Sequence, residues 1–280
     1  MVEPTIGVEE FKKFREFFYR KTGIRYKTSS RYYVDKRILE RIEATQSGDF
    51  RKYFTLLRFQ ASGEELQILT NRMTVNETYF LREEFQFECL VNSLLPEIID
   101  RKKDRRPIRI WSIPSSSGEE PYSIAMFLLE RWTGIDEWDV EIISSDIDTG
   151  ILRKARIGRY SDRAVQYVPE LWMKKYFTPV GDEYQICEDL RQSVEFTQVN
   201  LASTADTRAY RDFDVIFCRN LLIYFDDLSR KAAAETFYDA LKPGGYLCLG
   251  HSESMSRVSS LYQARKFVEA ILYQKPLEAR

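Results

Sequence analysis

The residues of this chain best equipped for chemistry stand in short clusters beside apolar runs. Arg82 closes Asn76-Glu-Thr-Tyr-Phe-Leu-Arg82, and Ser115-Ser-Ser-Gly-Glu-Glu120 follows Ile108 to Ile113. Asp146 ends the run begun at Val140, and Cys218-Arg-Asn220 ends Phe213-Asp-Val-Ile-Phe. Arginine forks onto carboxylates. A carboxylate at a strand end has two acceptor oxygens for a vicinal diol. A turn of small residues entering a helix brings a ligand close to unpaired backbone N–H groups. What is scarce is equally informative: the 280 residues include one histidine, His251. Ser-His-Asp hydrolysis and histidine-based zinc or iron sites lack their imidazoles, so no metal is expected. Neither G-x-G-x-x-G nor a Walker lysine occurs, and Glu119 and Glu120 would repel a pyrophosphate.

Each cluster also has a plain reading. Ser-Gly-Glu-Glu suits an ordinary helix start, with acids in the first turn. Asp146 could simply cap a turn, and Tyr224 could be a buried tyrosine at a strand end. Arg219 is expected to brace the site by pairing with Glu253 or Asp214, and His251 reads as a loop residue without a catalytic role.

The elements that must position these residues fall into three parts. Phenylalanines at 11, 14, 17 and 18 mark an amphipathic helix over Glu9 to Arg20, and Val34 to Ala44 is a second, with Val34, Ile38, Leu39 and Ile42 on one side. A helix over Glu83 to Asp100 ends before Pro107. From Ile108 onward strands alternate with helices: strands at Ile108 to Ile113, Val140 to Ser144, Phe213 to Cys218 and Gly245 to Gly250, and helices at Glu119 to Arg131, Thr149 to Arg156 and Asp227 to Leu241. This is the signature of an α/β fold with a parallel sheet covered on both faces. Residues 158–196, rich in Tyr and Val with Gly181-Asp182 at a turn, read as a small β-rich insertion.

Charge is uneven beneath a net −1. Arg20 to Arg41 carries eight basic residues against Asp35 and Glu40, a local +6 that leaves −7 elsewhere. Arg31, Lys36, Arg37 and Arg41 thus offer a basic face, either a solvated surface or a dock for an acidic partner. Tyrosines interleave with these charges, but no stacking motif accompanies them, so nucleic acid is not expected. The four cysteines form no C-x-x-C pair, no apolar run reaches the ~18 residues of a membrane span, and Met1 to Glu10 lacks a signal-peptide pattern. A cytoplasmic protein without membrane insertion is expected.

Taken in order, Asn76 to Arg82, Trp111 to Ser123, Asp146-Ile-Asp with Ala155 to Tyr160, Val199-Asn-Leu201, Phe213 to Phe225 and Leu241 to Glu253 resemble the chemotaxis receptor methyltransferases, the CheR family. Thr22-Gly-Ile24 and Arg37 to Arg41 extend the resemblance over nearly the whole chain. It implies a Rossmann-like class I methyltransferase domain with a small antiparallel β-subdomain inserted at 158–196, over residues 81–280, behind an all-α, receptor-docking domain over 1–80. It implies S-adenosylmethionine as cofactor and S-adenosylhomocysteine as product. Cofactor contacts carry over to Asn76, Thr78, Arg82, Gly118, Glu119, Asp146, Asn200, Leu201, Arg219 and Asn220. Asp146 would hold the ribose, Asn200 and Leu201 would neighbour the adenine, and Arg82 and Tyr224 would lie near the transferred methyl group. The small-residue loop departs from the family's pattern at Pro114.

The implied reaction, esterification of receptor glutamates for sensory adaptation, suits a chain with one histidine. A glutamate with reference pKa near ~4.3 is already ionised at neutral pH and needs no general base. The implied partner is the cytoplasmic helical domain of membrane chemoreceptors, reached by a monomer, with a receptor C-terminal peptide as a further ligand of the β-subdomain. A binding module that senses the cofactor without transferring methyl is the competing class. Retention of Arg82, Asn220 and Tyr224 argues for activity.

Overall fold

The computed structural model describes residues 5–277. Its N-terminal part is built by aromatic residues at helical spacing. In α1 (Val8–Thr22) Phe11, Phe14 and Phe18 are buried, and Gly23 ends the helix in the left-handed conformation, φ 73°. They meet Val34 and Ile38 of α2 (Arg31–Ala44), Tyr53 and Leu57 of α3 (Phe50–Phe59), and Leu69 and Met73 of α4 (Glu64–Met73). The helical unit is shorter than expected. Phe80 and Leu81 already pack into the α/β core, so their burial belongs to the following domain.

The expected helix after Arg82 starts at Phe85 and contains a π-helical turn, Leu90–Leu94, between Phe85–Cys89 and Leu95–Arg101. The strands are β1 (Ile108–Ser112), β2 (Val140–Asp146), β3 (Arg159–Ser161), β4 (Phe177–Val180), β5 (Glu183–Ile186), β6 (Val194–Gln198), β7 (Phe213–Cys218), β8 (Leu241–Leu249), β9 (Gln263–Lys266) and β10 (Ile271–Gln274). Seven of them form one sheet in the order β6-β2-β1-β7-β8-β10-β9. β6, β2, β1, β7 and β8 run parallel, and β10 is antiparallel to both of its neighbours. All six residues of β7 are buried, as a central strand of a covered parallel sheet requires. From β1 the chain works outward to β2 and β6, then returns to β7 and β8 on the other side. The crevice at the carboxyl ends of β1 and β7 is therefore a topological switch point.

The insertion forms a three-stranded antiparallel sheet, β3-β5-β4, turning at Gly181-Asp182. It ends sooner than expected, because Val194 and Phe196 lie in β6 at the edge of the large sheet. An edge strand exposed on one face alternates just as a strand of the insertion would, and that is what blurred the boundary.

Candidate active site

A cleft of about 1190 Å³ opens at the carboxyl ends of β1, β2, β6 and β7 and is walled on its far side by the N-terminal helices. Its floor is the loop after β1. There the Ile113–Pro114 peptide is cis, and Ser116 adopts a positive φ of 48°. Ser116 N–H donates to Asp146 Oδ2 at 2.9 Å, and Asp148 N–H donates to Oδ1 at 3.0 Å. The Asp146 carboxylate is thus held rigidly at the end of β2, each oxygen taking a backbone N–H. Burial pushes its carboxyl up to about 6. Because that lies above the ordinary 3.8, the folded chain binds the proton more tightly than the unfolded one. Its contribution to stability is present below 3.8 and lost as pH rises through about 6. Ligand binding has the opposite sense, since hydroxyl donors need the ionised acceptor. Cofactor affinity should therefore weaken as pH falls from 7.5 to 5.5, and titration calorimetry at several pH values reads this directly. A flat profile would remove Asp146 from the binding set.

Two of the residues expected to meet the cofactor stand outside the cleft lining. Gly118 and Glu119 do not line the cleft, whereas Glu120 does. Gly118 needs its positive φ of 96° and its lack of a side chain for internal packing. A Cβ there would stand 2.9 Å from the Tyr122 ring and 3.1 Å from Ala155. Glu119 begins the helix Glu119–Arg131 and is buried against the Ser117 hydroxyl, 2.7 Å away, with burial pushing its carboxyl up to about 7. Successive helical side chains diverge by about 100°, so when Glu119 turns inward its neighbour faces the cleft.

Arg219 also has partners other than those expected. Its guanidinium is buried, 3.1 Å from Glu120 Oε2 and 3.4 Å from Glu83 Oε2, and donates to the Arg82 carbonyl. Asp214 pairs with Lys242 at 2.8 Å instead. Glu253 accepts from the backbone N–H groups of Asn220 at 2.8 Å and Gly250 at 2.9 Å. It thereby supports Asn220 in its left-handed conformation, φ 57°, which asparagine tolerates better than most residues.

The other expected residues do converge on the cleft. Asn76, Thr78, Arg82, Asn200, Leu201, Arg219, Asn220 and Tyr224 all line it with Asp146. Asn76 donates to Asp148 Oδ2 at 2.9 Å, and its carbonyl accepts from the Ser116 hydroxyl at 3.0 Å. Arg82 lies over the Tyr79 ring, 5.8 Å from its centroid. The Asn200 amide donates to the Lys21 carbonyl at 2.6 Å, which ties the loop after β6 to α1. Tyr224 ends the 3-10 turn Leu222–Tyr224 and is 39% exposed. His251 is exposed beside Glu83, away from the cleft lining.

The basic face of α2 is only partly free. Arg41 makes a two-pronged bond to Glu65 at 2.9 and 2.6 Å and is largely buried, so it braces α2 against α4. Arg31 bonds Asp35 at 3.1 Å and the Ile6 carbonyl, and Arg37 covers the Tyr33 ring while donating to the Arg72 carbonyl at 2.6 Å. Lys36 is exposed. Burial of the α2–α4 seam, set by residues 24 positions apart, was not visible in the helix's own periodicity.

Sequence reasoning missed Glu120 as a cleft residue, Ser116 as the support of Asp146, and Glu253 as the brace of the Asn220 loop. All three stand in segments that carry the family resemblance, Ser116 and Glu120 in Trp111 to Ser123 and Glu253 in Leu241 to Glu253, but the segments alone do not say which way each side chain faces.

An α/β sheet with a rigid carboxylate at the end of β2 and a small-residue loop at the switch point defines the architecture of class I S-adenosylmethionine-dependent methyltransferases. The family model described as "CheR methyltransferase, SAM binding domain" matches residues 76–271, and "CheR methyltransferase, all-alpha domain" matches 9–74. "Chemotaxis protein methyltransferase 2" of Vibrio cholerae is 55% identical over 277 residues, spanning 99% of this chain and 96% of that protein. A protein of the same description from Pseudomonas aeruginosa is 39% identical over 261 residues, with 91% and 90% covered. The "Chemotaxis protein methyltransferase" of Escherichia coli is 33% identical over 261 residues, with 91% and 87% covered. The chain belongs to the CheR methyltransferase family and is an S-adenosylmethionine-dependent methyltransferase.

The residues present fit that cofactor. Asp146 lines the cleft, and the hydroxyl of Ser115, in the same lining, is buried without a hydrogen-bond partner among the described residues. Among the described residues no group of three His, Cys, Asp or Glu could hold a metal ion, and no helix is long and apolar enough to cross a membrane.

Proposed function

We propose that the protein transfers the methyl group of S-adenosylmethionine to glutamate side chains of chemoreceptors, forming methyl esters. The observation that carries this reading is the cleft itself, whose lining includes Asp146, Arg82 and Tyr224 and, among the described residues, no imidazole. When bound, the cofactor supplies a methyl group on a sulfonium, whose leaving group is neutral. Asp146 holds the ribose, Asn76 and Ser116 keep its loop in place, and Leu201 packs beside the adenine. Arg82 orients the acceptor carboxylate without neutralising it. Tyr224 closes the mouth and helps exclude water, which raises the reactivity of a carboxylate that is already ionised. Lys36 with the outer edges of Arg31 and Arg37 offers the dock for a Glu-rich receptor helix, and Arg25 and Lys27 add basic groups in the cleft wall. β3 and β4 are both edges of the small sheet, and either can accept a receptor tail by strand addition.

The test is transfer of labelled methyl to receptor-containing membranes. We expect label released as methanol by mild base, and a rate lowered on the order of 100-fold by Arg82→Met, the scale expected when a reacting group loses its alignment. Base-stable label, or tight cofactor binding without transfer to any receptor, would overturn the reading.

A further inference from the structure

Tyr224 owes its place in the cleft to its backbone. Its hydroxyl makes no hydrogen bond among the described residues, so the ring goes where the turn Leu222–Tyr224 puts it. That turn is gripped from two sides. Arg230 Nε donates to the Leu222 carbonyl at 2.9 Å. From the N-terminal domain, Arg25 N–H donates to the Tyr224 carbonyl at 3.4 Å, and Ile24 and Phe225 form an isolated antiparallel bridge.

One carboxylate secures this seam. Asp226 Oδ1 accepts from the Tyr19 hydroxyl at 3.0 Å and from Ser229 N–H at 3.0 Å, where it caps the helix Asp227–Ala240. Its Oδ2 pairs with Arg25 Nη1 at 2.9 Å, and Ser229 Oγ donates to the Gly23 carbonyl at 3.2 Å. Burial alone would raise this carboxyl, but the Ser229 amide, Arg25 and Tyr19 outweigh it and bring it down to about 2. The tie is therefore charged throughout the working pH range. Arg25 is well exposed, so its ion pair taken singly is weak. The tie gains its rigidity from serving three donors at once, two of them from α1 and the segment after it.

We propose that Asp226 is a positioning residue for methyl transfer. Through Tyr19 and Arg25 it locks residues 23–25 of the docking domain against Tyr224 and Phe225, so that the domain expected to meet the receptor also sets the Tyr224 ring. The proposal rests on the reading that Tyr224 lies beside the acceptor.

Asp226→Asn is the decisive variant, because asparagine caps a helix as well as aspartate does while the tie to Arg25 loses its charge. Receptor methylation should show kcat lowered about tenfold, well within the ~100-fold that a 1 Å misplacement can cost, with KM for receptor and cofactor Kd unchanged. Tyr19→Phe, which removes one hydroxyl and leaves the fold least disturbed, should lower kcat in the same sense. In a Tyr224→Ala background, which removes the ring that the tie positions, the Asp226→Asn loss should disappear. A 3-fluorotyrosine placed at 224 reads the ring directly, and its fluorine resonance should move in Asp226→Asn. An unmoved resonance with unchanged kcat overturns the proposal. A moved resonance with Tyr224→Ala as fast as wild type removes the ring from the reaction and overturns the positioning role. A changed KM with constant kcat would make Asp226 a docking residue and overturn the positioning role.

Discussion

Arg219→Met is expected to lower the unfolding free energy by about 3–5 kcal/mol, the cost of breaking a buried ion pair by removing one partner. Methionine keeps much of the arginine stem's volume, so the loss is electrostatic rather than a cavity. Arg219 is 5% exposed and lies between Glu83 and Glu120, themselves mostly shielded. Burial already raises the Glu120 carboxyl, and Arg219 is the principal group holding it down. Without the guanidinium the carboxyl rises further above its ordinary 4.5. A raised carboxyl contributes stability below its unfolded pKa and loses it as pH rises through the folded one. The variant should thus be closer to wild type at pH 5 than at pH 8, and urea denaturation at both values measures the difference. Arg219→Lys restores charge but not the fork that also reaches the Arg82 carbonyl, so it should recover stability in part and methyl transfer less. Pairing Arg219→Met with Glu120→Gln should regain part of the lost stability. A loss below about 1 kcal/mol, the scale of an exposed pair, would mean that Arg219 is solvated rather than buried.

Asp146→Ala should raise the cofactor's Kd on the order of 100-fold or more, since two hydrogen bonds to a charged acceptor are worth about 1.5–3 kcal/mol each. The substitution has a second cost. Ser116 N–H and Asp148 N–H both point at this carboxylate and would be left buried without partners, which loosens the floor of the cleft. Asp146→Asn separates the two effects: its amide keeps one acceptor oxygen and places a donor against one of those N–H groups. Its Kd should fall between wild type and alanine and lose the pH dependence expected between 7.5 and 5.5. Calorimetry of the folded variants checks the order. Equal affinity for all three proteins would place the ribose elsewhere.

Much of the fold was legible because it is written in local patterns. The helix Glu119–Arg131 and the strand Phe213–Cys218 were read to the residue, since apolar periodicity and a capping sequence lie within a dozen positions of each other. The C-terminal pair β9 and β10 went unread: β9 is a short edge strand, exposed along most of its length, with no alternation to mark it. The 158–196 boundary overran for the opposite reason, alternation that was real but belonged to another sheet.

The site divides the same way. That Asp146 ends a strand, that Arg82, Asn220 and Tyr224 stand in family motifs, and that the chain holds a single imidazole were all determined by the sequence, because type and local spacing are sufficient for each. Which way those groups face was decided only by tertiary structure. Glu119 turns inward and Glu120 faces the cleft because of how one helix is set against Ala155 and Tyr160. Arg41 is taken up by Glu65, and Arg219 by Glu83 and Glu120, through contacts between separate elements. Asp226 meets Tyr19 and Arg25 across 207 and 201 positions of chain. A charge in a linear pattern is only an offer of an interaction. Packing chooses its partner, because desolvation makes an unpaired buried charge too costly to leave and a paired one unavailable for anything else.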